Sequence, residues 1–185
     1  MSPEHVVLID ESNTVLGTMP KAEVHHESTP LHRGFSLFLF NRRGEVLSQQ
    51  RSAKKKIFPL TWTDSASGHP QLSETNEDAA RRRVRQELGM RLSFVEEVAP
   101  YRYEVSHDGI LENEVCPILV GFTDGDVGEI DHDEIAAVRW MAWDDFRKDM
   151  EISPESYSPW CIEEARILDE QPRFLELRGA VVLAR

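Results

Sequence analysis

Three histidines and two glutamates are the residues of this chain whose types best suit metal chemistry. His25, His32 and His69 lie in its first half, and Glu112 and Glu114 stand two residues apart further on. Because side chains alternate along a β-strand, both carboxylates would project to one face there, where they could bind one cation or face solvent. A lone histidine or a lone acidic pair is more often solvated, so only the combination predicts a site.

The segment 68–90 contains a second informative spacing. Gly68 is followed after five residues by Glu74, and after seven more residues by Arg82, with Glu87 further along. This skeleton, completed by Val84, Gly89 and Met90, resembles the Nudix box. In Nudix proteins one helical face presents acidic side chains to divalent metals that hold a diphosphate.

Two acidic positions of that box are changed in this chain. Arg83 and Gln86 stand where the motif has acids, so Glu87 alone remains of the cluster that would activate water for hydrolysis. The pattern predicts a Nudix scaffold without its usual hydrolytic metal site. A solvated charged helix face would explain the arginines equally well, namely Arg81, Arg82, Arg83 and Arg85.

Short strands and one capped helix are predicted to position these residues. Apolar and alternating stretches predict strands over 6–9, 14–18, 34–40, 45–50, 93–105, 111–122 and 137–142. A helix is predicted over 75–88, with Ser73 or Thr75 as N-cap and Gly89 as its stop. The chain from Trp143 onward is predicted to be mostly helical. We therefore expect an α+β fold, an α/β/α sandwich with a mixed sheet flanked by helices.

Length and charge limit the possible functions. The 185 residues, 40% of them hydrophobic, suit one domain over 1–185. A net charge of −12 argues against binding nucleic acid or anionic membranes, because the long-range field repels polyanions.

Without a signal peptide or an apolar run of roughly 20 residues, we expect a soluble, cytoplasmic protein. Cys116 and Cys161 form no CxxC, which argues against a disulfide framework. The oligomeric state stays open.

Most of the chain resembles type I isopentenyl diphosphate isomerase, a family of the Nudix superfamily. The resemblance extends from about position 4 to position 160. The matching residues are Lys21 with His25, Leu31-His32, Arg51 with Lys55-Lys56, Trp62-Thr63, 68–79, Tyr101-Arg102-Tyr103, 112–117 and Ser158-Pro159-Trp160. The resemblance implies a Nudix-like fold and a small-molecule prenyl diphosphate substrate.

The same resemblance implies two metal positions and a diphosphate-binding surface. One divalent cation of manganese, magnesium or zinc type would be held by a mixed imidazole and carboxylate set, namely His25, His32, His69, Glu112 and Glu114. Glu87, with the backbone carbonyl of Ser67, would help place a Mg²⁺ ion that arrives with the substrate. The phosphate oxygens would pair with Lys21, Arg51, Lys55 and Arg83.

Isomerisation of a terminal alkene to an internal one needs two opposed acid/base groups. One proton is added and another is removed on the far side of the resulting tertiary carbocation. The resemblance implies that a cysteine and Glu114 fill these roles, with Tyr103 assisting the glutamate. Trp160 would lie over the cation, where an indole face contributes about 2 kcal/mol when the cation is desolvated. Core packing is the alternative role for Trp160.

The chain departs from this family at the cysteine. Ser67 occupies that position, and a hydroxyl gives up its proton at neutral pH only beside a strong base. Asp64 stands where the resemblance expects asparagine, and it could compensate as a base if it neighbours Ser67. A solvated loop carboxylate is the favoured alternative for Asp64.

Three explanations of Ser67 stay open: an engineered substitution, a natural homologue with slow turnover, or a repurposed paralogue. Three functions follow from them. The first is an attenuated isopentenyl diphosphate isomerase. The second is a non-catalytic or slow protein that binds prenyl diphosphates, and the third is a prenyl diphosphate hydratase or hydrolase. The loss of two box acids weighs against hydrolysis.

Overall fold

A computed structural model describes the backbone of residues 4–183 and the side chains of residues 4–180, which form two mixed β-sheets and five α-helices. The strands are β1 (His5–Ile9), β2 (Val15–Pro20), β3 (His32–Arg33), β4 (Phe35–Phe40), β5 (Glu45–Arg51), β6 (Trp62–Thr63), β7 (Ala66–Gly68), β8 (Phe94–Ala99), β9 (Arg102–His107), β10 (Ile110–Val115), β11 (Ile118–Phe122) and β12 (Ile135–Ala142). The helices are α1 (Lys21–Val24), α2 (Asn76–Leu88), α3 (Trp143–Ile152), α4 (Pro159–Asp169) and α5 (Pro172–Leu183).

The larger sheet lies between helices on both faces. Its strand order is β12-β5-β4-β11-β8, with β6 added to β5 and β7 added to β4. Every residue of β4 is buried, because alternate side chains enter two different cores. Phe38 and Phe40 pack with Trp143 of α3, whereas Leu37 and Leu39 share a core with α2. The predicted α/β/α arrangement is therefore confirmed for this sheet.

The smaller sheet has the order β2-β1-β3-β10-β9 and contains three of the predicted metal ligands, His32, Glu112 and Glu114. Its strands β3 and β10 run parallel, with His32 directly opposite Glu114. Tyr103 of β9 is opposite Glu114 on the other side. The histidine, the carboxylate and the phenol therefore lie side by side across three adjacent strands.

Two predicted strands are each divided between the two sheets. The segment 93–105 forms β8 in the larger sheet and β9 in the smaller one, and 111–122 likewise lies within β10 and β11. The breaks fall beside Pro100 and Pro117, which have no N–H to donate to a strand partner. The chain passes from one sheet to the other at these points, and residues of both sheets line one cavity.

Helix α2 matches its prediction closely. Thr75 is the N-cap, since its hydroxyl accepts a 3.1 Å hydrogen bond from the Asp78 N–H, and Gly89 ends the helix with φ of 61°. The buried face includes the apolar Val84 and also the charged Arg83 and Glu87. This charged pair on a buried face indicates a role beyond helix packing.

Candidate functional site

A cavity of 540 Å³ lies where the two sheets meet. Nearly all residues singled out in the sequence line it, namely Lys21, His25, Arg51, Lys55, Ser67, His69, Arg83, Tyr103, Glu112, Glu114 and Trp160. His32 and Glu87 do not line it. They are buried, and each contacts a residue that does.

Four side chains from separate elements converge at one end of the cavity. His25 follows α1, His32 lies in β3, His69 follows β7 and Glu114 lies in β10, and their ligand atoms all lie within 4.8 Å of one another. The Nε2 atoms of His32 and His69 are 3.1 and 3.0 Å from the same Glu114 oxygen, Oε1. We call these four residues the histidine cluster.

The donor atoms of the cluster fit a divalent cation. His32 Nδ1 lies 2.9 Å from the Pro30 carbonyl, so in the neutral ring Nδ1 carries the proton and the Nε2 lone pair faces Glu114. Buried His69 Nδ1 and Glu112 Oε2 have no hydrogen-bond partner, although Glu112 Oε2 is 3.2 Å from His25 Nε2. A cation would satisfy lone pairs that otherwise oppose one another.

The charge state of Glu114 suits the same purpose. Burial opposes ionisation of Glu114, but when Nε2 of His32 and of His69 carries a proton, the hydrogen bonds donated to Glu114 outweigh burial and hold its pKa well below the usual range. Burial lowers the pKa of His69 in turn, which favours the neutral ring that binds metals. The cluster therefore combines an ionised carboxylate with imidazole nitrogens.

Lys21, Lys55 and Arg83 form a cationic wall in the cavity. Each is matched by a carboxylate: Lys21 Nζ is 2.9 Å from Glu4 Oε2, Lys55 contacts Glu134, and Arg83 contacts Glu87. Arg83 Nη2 is also 3.4 Å from Glu134 Oε2. These ion pairs hold the lysines and the arginine beside the cavity before any anion binds.

Arg83 and Glu87 are deeply buried, at 6% and 2% exposure. A solvated charged face is therefore wrong for Arg83, although it describes the exposed Arg85. Burial raises the pKa of Glu87 to about 7 against the opposing charge of Arg83. A Cβ on Gly68 would lie 3.1 Å from the Arg83 side chain, so α2 packs directly on β7, the strand that contains Ser67.

Tyr103 and Trp160 form an aromatic wall beside the histidine cluster. Their rings are stacked with centroids 5.6 Å apart. The Arg51 guanidinium lies 5.3 Å from the Trp160 ring, and it donates to the Ile57 and Phe58 carbonyls. Burial and the Glu114 charge raise the pKa of Tyr103 well above its ordinary value, so it remains a neutral phenol.

Ser67 and Asp64 are in direct contact. The Ser67 hydroxyl donates a 2.6 Å hydrogen bond to Asp64 Oδ2, and Thr63 Oγ1 donates another of 2.6 Å to Oδ1. Asp64 is 0% exposed, so the prediction of a solvated loop carboxylate is wrong. The reason is that the segment 61–65 is hydrogen-bonded to β4 and β5 within the larger sheet instead of crossing the surface: the Ser65 N–H donates to the Leu37 carbonyl, and the Gln49 N–H donates to the Asp64 carbonyl.

Three acidic residues of this region were not identified as site residues by sequence analysis. Glu4 and Glu134 line the cavity beside the cationic wall, and Glu164 of α4 is fully buried without a hydrogen-bond partner for either carboxylate oxygen. None belongs to a recognisable motif. Their partners are distant in sequence, so only the fold could reveal them.

Comparisons with known proteins agree with this geometry. Residues 30–161 match the family model of the NUDIX domain. The isopentenyl-diphosphate Delta-isomerase of Mycolicibacterium vanbaalenii is 44% identical over 168 residues, covering 90% of this chain and 92% of the relative. The chain belongs to the isopentenyl-diphosphate Delta-isomerase family of Nudix proteins. The enzyme of that name from Shigella dysenteriae is 39% identical over 167 residues, or 89% of this chain and 91% of the relative. The resemblance predicted from sequence is confirmed.

Solved structures support the fold independently. DR0079 of Deinococcus radiodurans superposes with a TM-score of 0.70 at 22% identity, covering 88% of this chain and 98% of that chain. A MutT protein of Methanosarcina mazei gives a TM-score of 0.62 at 17% identity, covering 76% and 94%. Both show that the isomerase-family chain shares their fold, and the match to the NUDIX family model identifies this architecture as Nudix-like. Within the described residues, every helix is too short or too polar to span a bilayer.

Proposed function

We propose that this protein converts isopentenyl diphosphate to dimethylallyl diphosphate by protonation and deprotonation through a tertiary carbocation, at a rate reduced by Ser67. The observation that carries the proposal is that one cavity is lined by His25, His69 and Glu114 of the histidine cluster, by the cationic wall and by the aromatic wall. A prenyl diphosphate has a highly charged end and a small apolar end, and this cavity matches both. Membership of the isomerase family supports the same reaction.

The cationic wall, with Arg51, would bind the diphosphate. Lys21, Lys55 and Arg83 offer charged donors to phosphate oxygens, and their carboxylate partners keep them in place until the anion arrives. Glu87, with the backbone carbonyl of Ser67, would help place a Mg²⁺ ion that enters with the substrate. The loss of acids at Arg83 and Gln86 argues against hydrolysis of the diphosphate.

The histidine cluster, together with Glu112, would hold one divalent cation of manganese, magnesium or zinc type. When bound, such a cation would fix the orientation of its ligands and favour the ionised carboxylate. The protein's own residues then handle the protons. Glu114, with the Tyr103 phenol beside it, would serve one face of the alkene, and Ser67 would serve the other.

Trp160 would stabilise the carbocation without trapping it. Its indole lies in the cavity lining and already packs under a cationic guanidinium, that of Arg51. An aromatic face attracts a cation through its quadrupole but offers no lone pair that would bond to carbon.

We place the protein in the cytoplasm, since both cysteines are buried free thiols.

Proton NMR in D₂O tests the proposal. Isopentenyl diphosphate and Mg²⁺ are incubated with the native protein and with Ser67→Cys, and dimethylallyl diphosphate and its deuterium content are followed. We expect deuterated product from both proteins, with Ser67→Cys at least about tenfold faster, because a positioned acid/base group contributes about 10² to 10⁴ in rate.

The other products would separate the competing functions. An alcohol that retains its phosphates would indicate a hydratase, and release of phosphate would indicate a hydrolase. Binding of the substrate without any product from either protein would indicate a prenyl diphosphate-binding protein, and would refute the isomerase. A rate that Ser67→Cys leaves unchanged would refute the attenuation by Ser67.

A further inference from the structure

Two departures from the isomerase family touch each other beneath the cavity. Ser67 replaces the expected cysteine and Asp64 replaces the expected asparagine, and a 2.6 Å hydrogen bond joins Ser67 Oγ to Asp64 Oδ2. Ser67 lines the cavity, whereas Asp64 is fully buried behind it. The geometry therefore connects a group that can reach substrate with an acid that cannot.

The Asp64 carboxylate is held in one orientation. Its other oxygen, Oδ1, accepts a 2.6 Å hydrogen bond from Thr63 Oγ1, and that hydroxyl lies 2.7 Å from Ser158 Oγ, just before α4. A carboxylate bonded through both oxygens cannot rotate away from Ser67. The hydrogen bond to Asp64 uses the Ser67 proton and leaves the lone pairs of Oγ free for a proton from a ligand in the cavity.

The chemistry of serine explains why such a partner matters. A thiol can exchange a proton near neutral pH by itself, whereas a serine hydroxyl becomes effective only when an adjacent base accepts its proton. The amide of an asparagine cannot accept a proton in this way. Replacement of cysteine by serine therefore calls for an acid at position 64.

We propose that Asp64 positions the Ser67 hydroxyl and receives its proton, so that Ser67 and Asp64 together replace the cysteine of the family. This inference rests on the isomerase function proposed above. Ser67 Oγ takes a proton from the carbon beside the carbocation, and the electrons of that C–H bond form the new C=C bond. The original hydroxyl proton moves to Asp64 Oδ2, which neutralises its carboxylate. The reverse reaction follows the same path in the opposite direction.

A double-mutant cycle tests the coupling. We compare the native protein, Asp64→Asn, Ser67→Cys and the double variant Asp64→Asn with Ser67→Cys, measuring kcat and KM for isopentenyl diphosphate. Asp64→Asn is expected to lower kcat about 100-fold or more in the native background, with KM changed by less than about threefold, because it removes the proton acceptor but no diphosphate contact. In the Ser67→Cys background it should lower kcat by less than about fivefold.

The effect of Asp64→Asn in the Ser67→Cys variant distinguishes proton acceptance by Asp64 from a structural role. Equal loss of kcat from Asp64→Asn in both backgrounds would overturn the proposal, as would unchanged kcat in the native background. If all four proteins fold but none isomerises the substrate, the proposed function itself fails. Melting temperatures of the four proteins verify folding, and Asp64→Ser, which is smaller, carries the same expectation if Asp64→Asn does not fold.

Discussion

Position, not residue type, separates a candidate metal ligand from an ordinary histidine in this protein. His25 and His26 are adjacent in sequence, yet only His25 joins the histidine cluster. His26 is exposed, and its Nδ1 accepts a 3.1 Å hydrogen bond from the Ser28 N–H, closing a turn before β3. The neighbouring residues therefore make a matched pair for testing the site.

His25→Ala is expected to weaken binding of a divalent cation, whereas His26→Ala should not. Loss of even a group that supports a ligand commonly costs about 10- to 100-fold in metal affinity, so loss of a ligand should cost at least that much. Calorimetric titration with Mn²⁺ or Zn²⁺, together with metal content after dialysis, measures the difference. Equal affinities in the two variants would remove His25 from the site.

At the scale of elements, Gly34 allows the link between the two sheets to lie close to Glu114, a candidate metal ligand. It links β3 to β4, and its N–H donates a 2.9 Å hydrogen bond to the Val115 carbonyl at the end of β10. A Cβ at this position would overlap the Glu114 carboxylate and would lie 3.4 Å from Cys116 Sγ. The absent side chain of Gly34 thus leaves the space that Glu114 occupies.

Gly34→Ala is expected to displace the Glu114 carboxylate and to weaken metal binding by tenfold or more, by the same ligand reasoning. Such overpacking also costs about 1 to 3 kcal/mol of stability. Gly179→Ala in α5 is the control, because a Cβ there meets nothing within 4 Å. Titration with Mn²⁺ and urea unfolding measure both effects, and native metal affinity in Gly34→Ala would contradict the packing argument.

At the scale of the whole molecule, the charge of the cavity lining differs from the net charge of the chain. The chain has a net charge of −12, yet one cavity contains Lys21, Lys55, Arg51 and Arg83. Carboxylates from distant segments stabilise these cations locally. The acidic exterior disfavours polyanions, whereas the proposed prenyl diphosphate, being small, would reach the cavity and replace these carboxylates as the partner of the cations.

Buried acids make stability depend on pH. Burial and then the charge of Asp64 raise the pKa of Glu164 well above 4.5, its ordinary value. Glu164 therefore keeps its proton to a higher pH in the folded protein than in the unfolded chain. Its contribution to the free energy of unfolding is present below the unfolded pKa and is lost as the pH rises toward the folded pKa.

Glu164→Gln is accordingly expected to raise the free energy of unfolding at about pH 8 by about 1 to 3 kcal/mol, with a smaller change at about pH 5. The comparison with native protein at each pH cancels the contributions of other groups. Urea unfolding measures it, and exposed Glu163→Gln serves as the neighbouring control. A stabilisation that is the same at both pH values would show that the ionisation of Glu164 is not its cause.

The sequence by itself determined the features that depend on neighbouring residues. Helix α2 was predictable because its cap, its acidic first turn and its glycine stop act within a few positions of each other. The family followed from the resemblance of many stretches of the chain to known isomerases, the fold class followed from the predicted strands and helices, and the types of the candidate ligands were visible directly. The strands β4 and β5 were also predictable from apolar runs separated by a short polar turn.

Only the tertiary structure decided which residues share an environment. It divided 93–105 and 111–122 between two sheets, buried Asp64 under Ser67, and brought Glu134 to Lys55. Hydrogen bonds and ion pairs between residues distant in sequence form only after the sheets have packed. Local propensity contains no information about such pairings, because burial and distance are properties of the assembled fold.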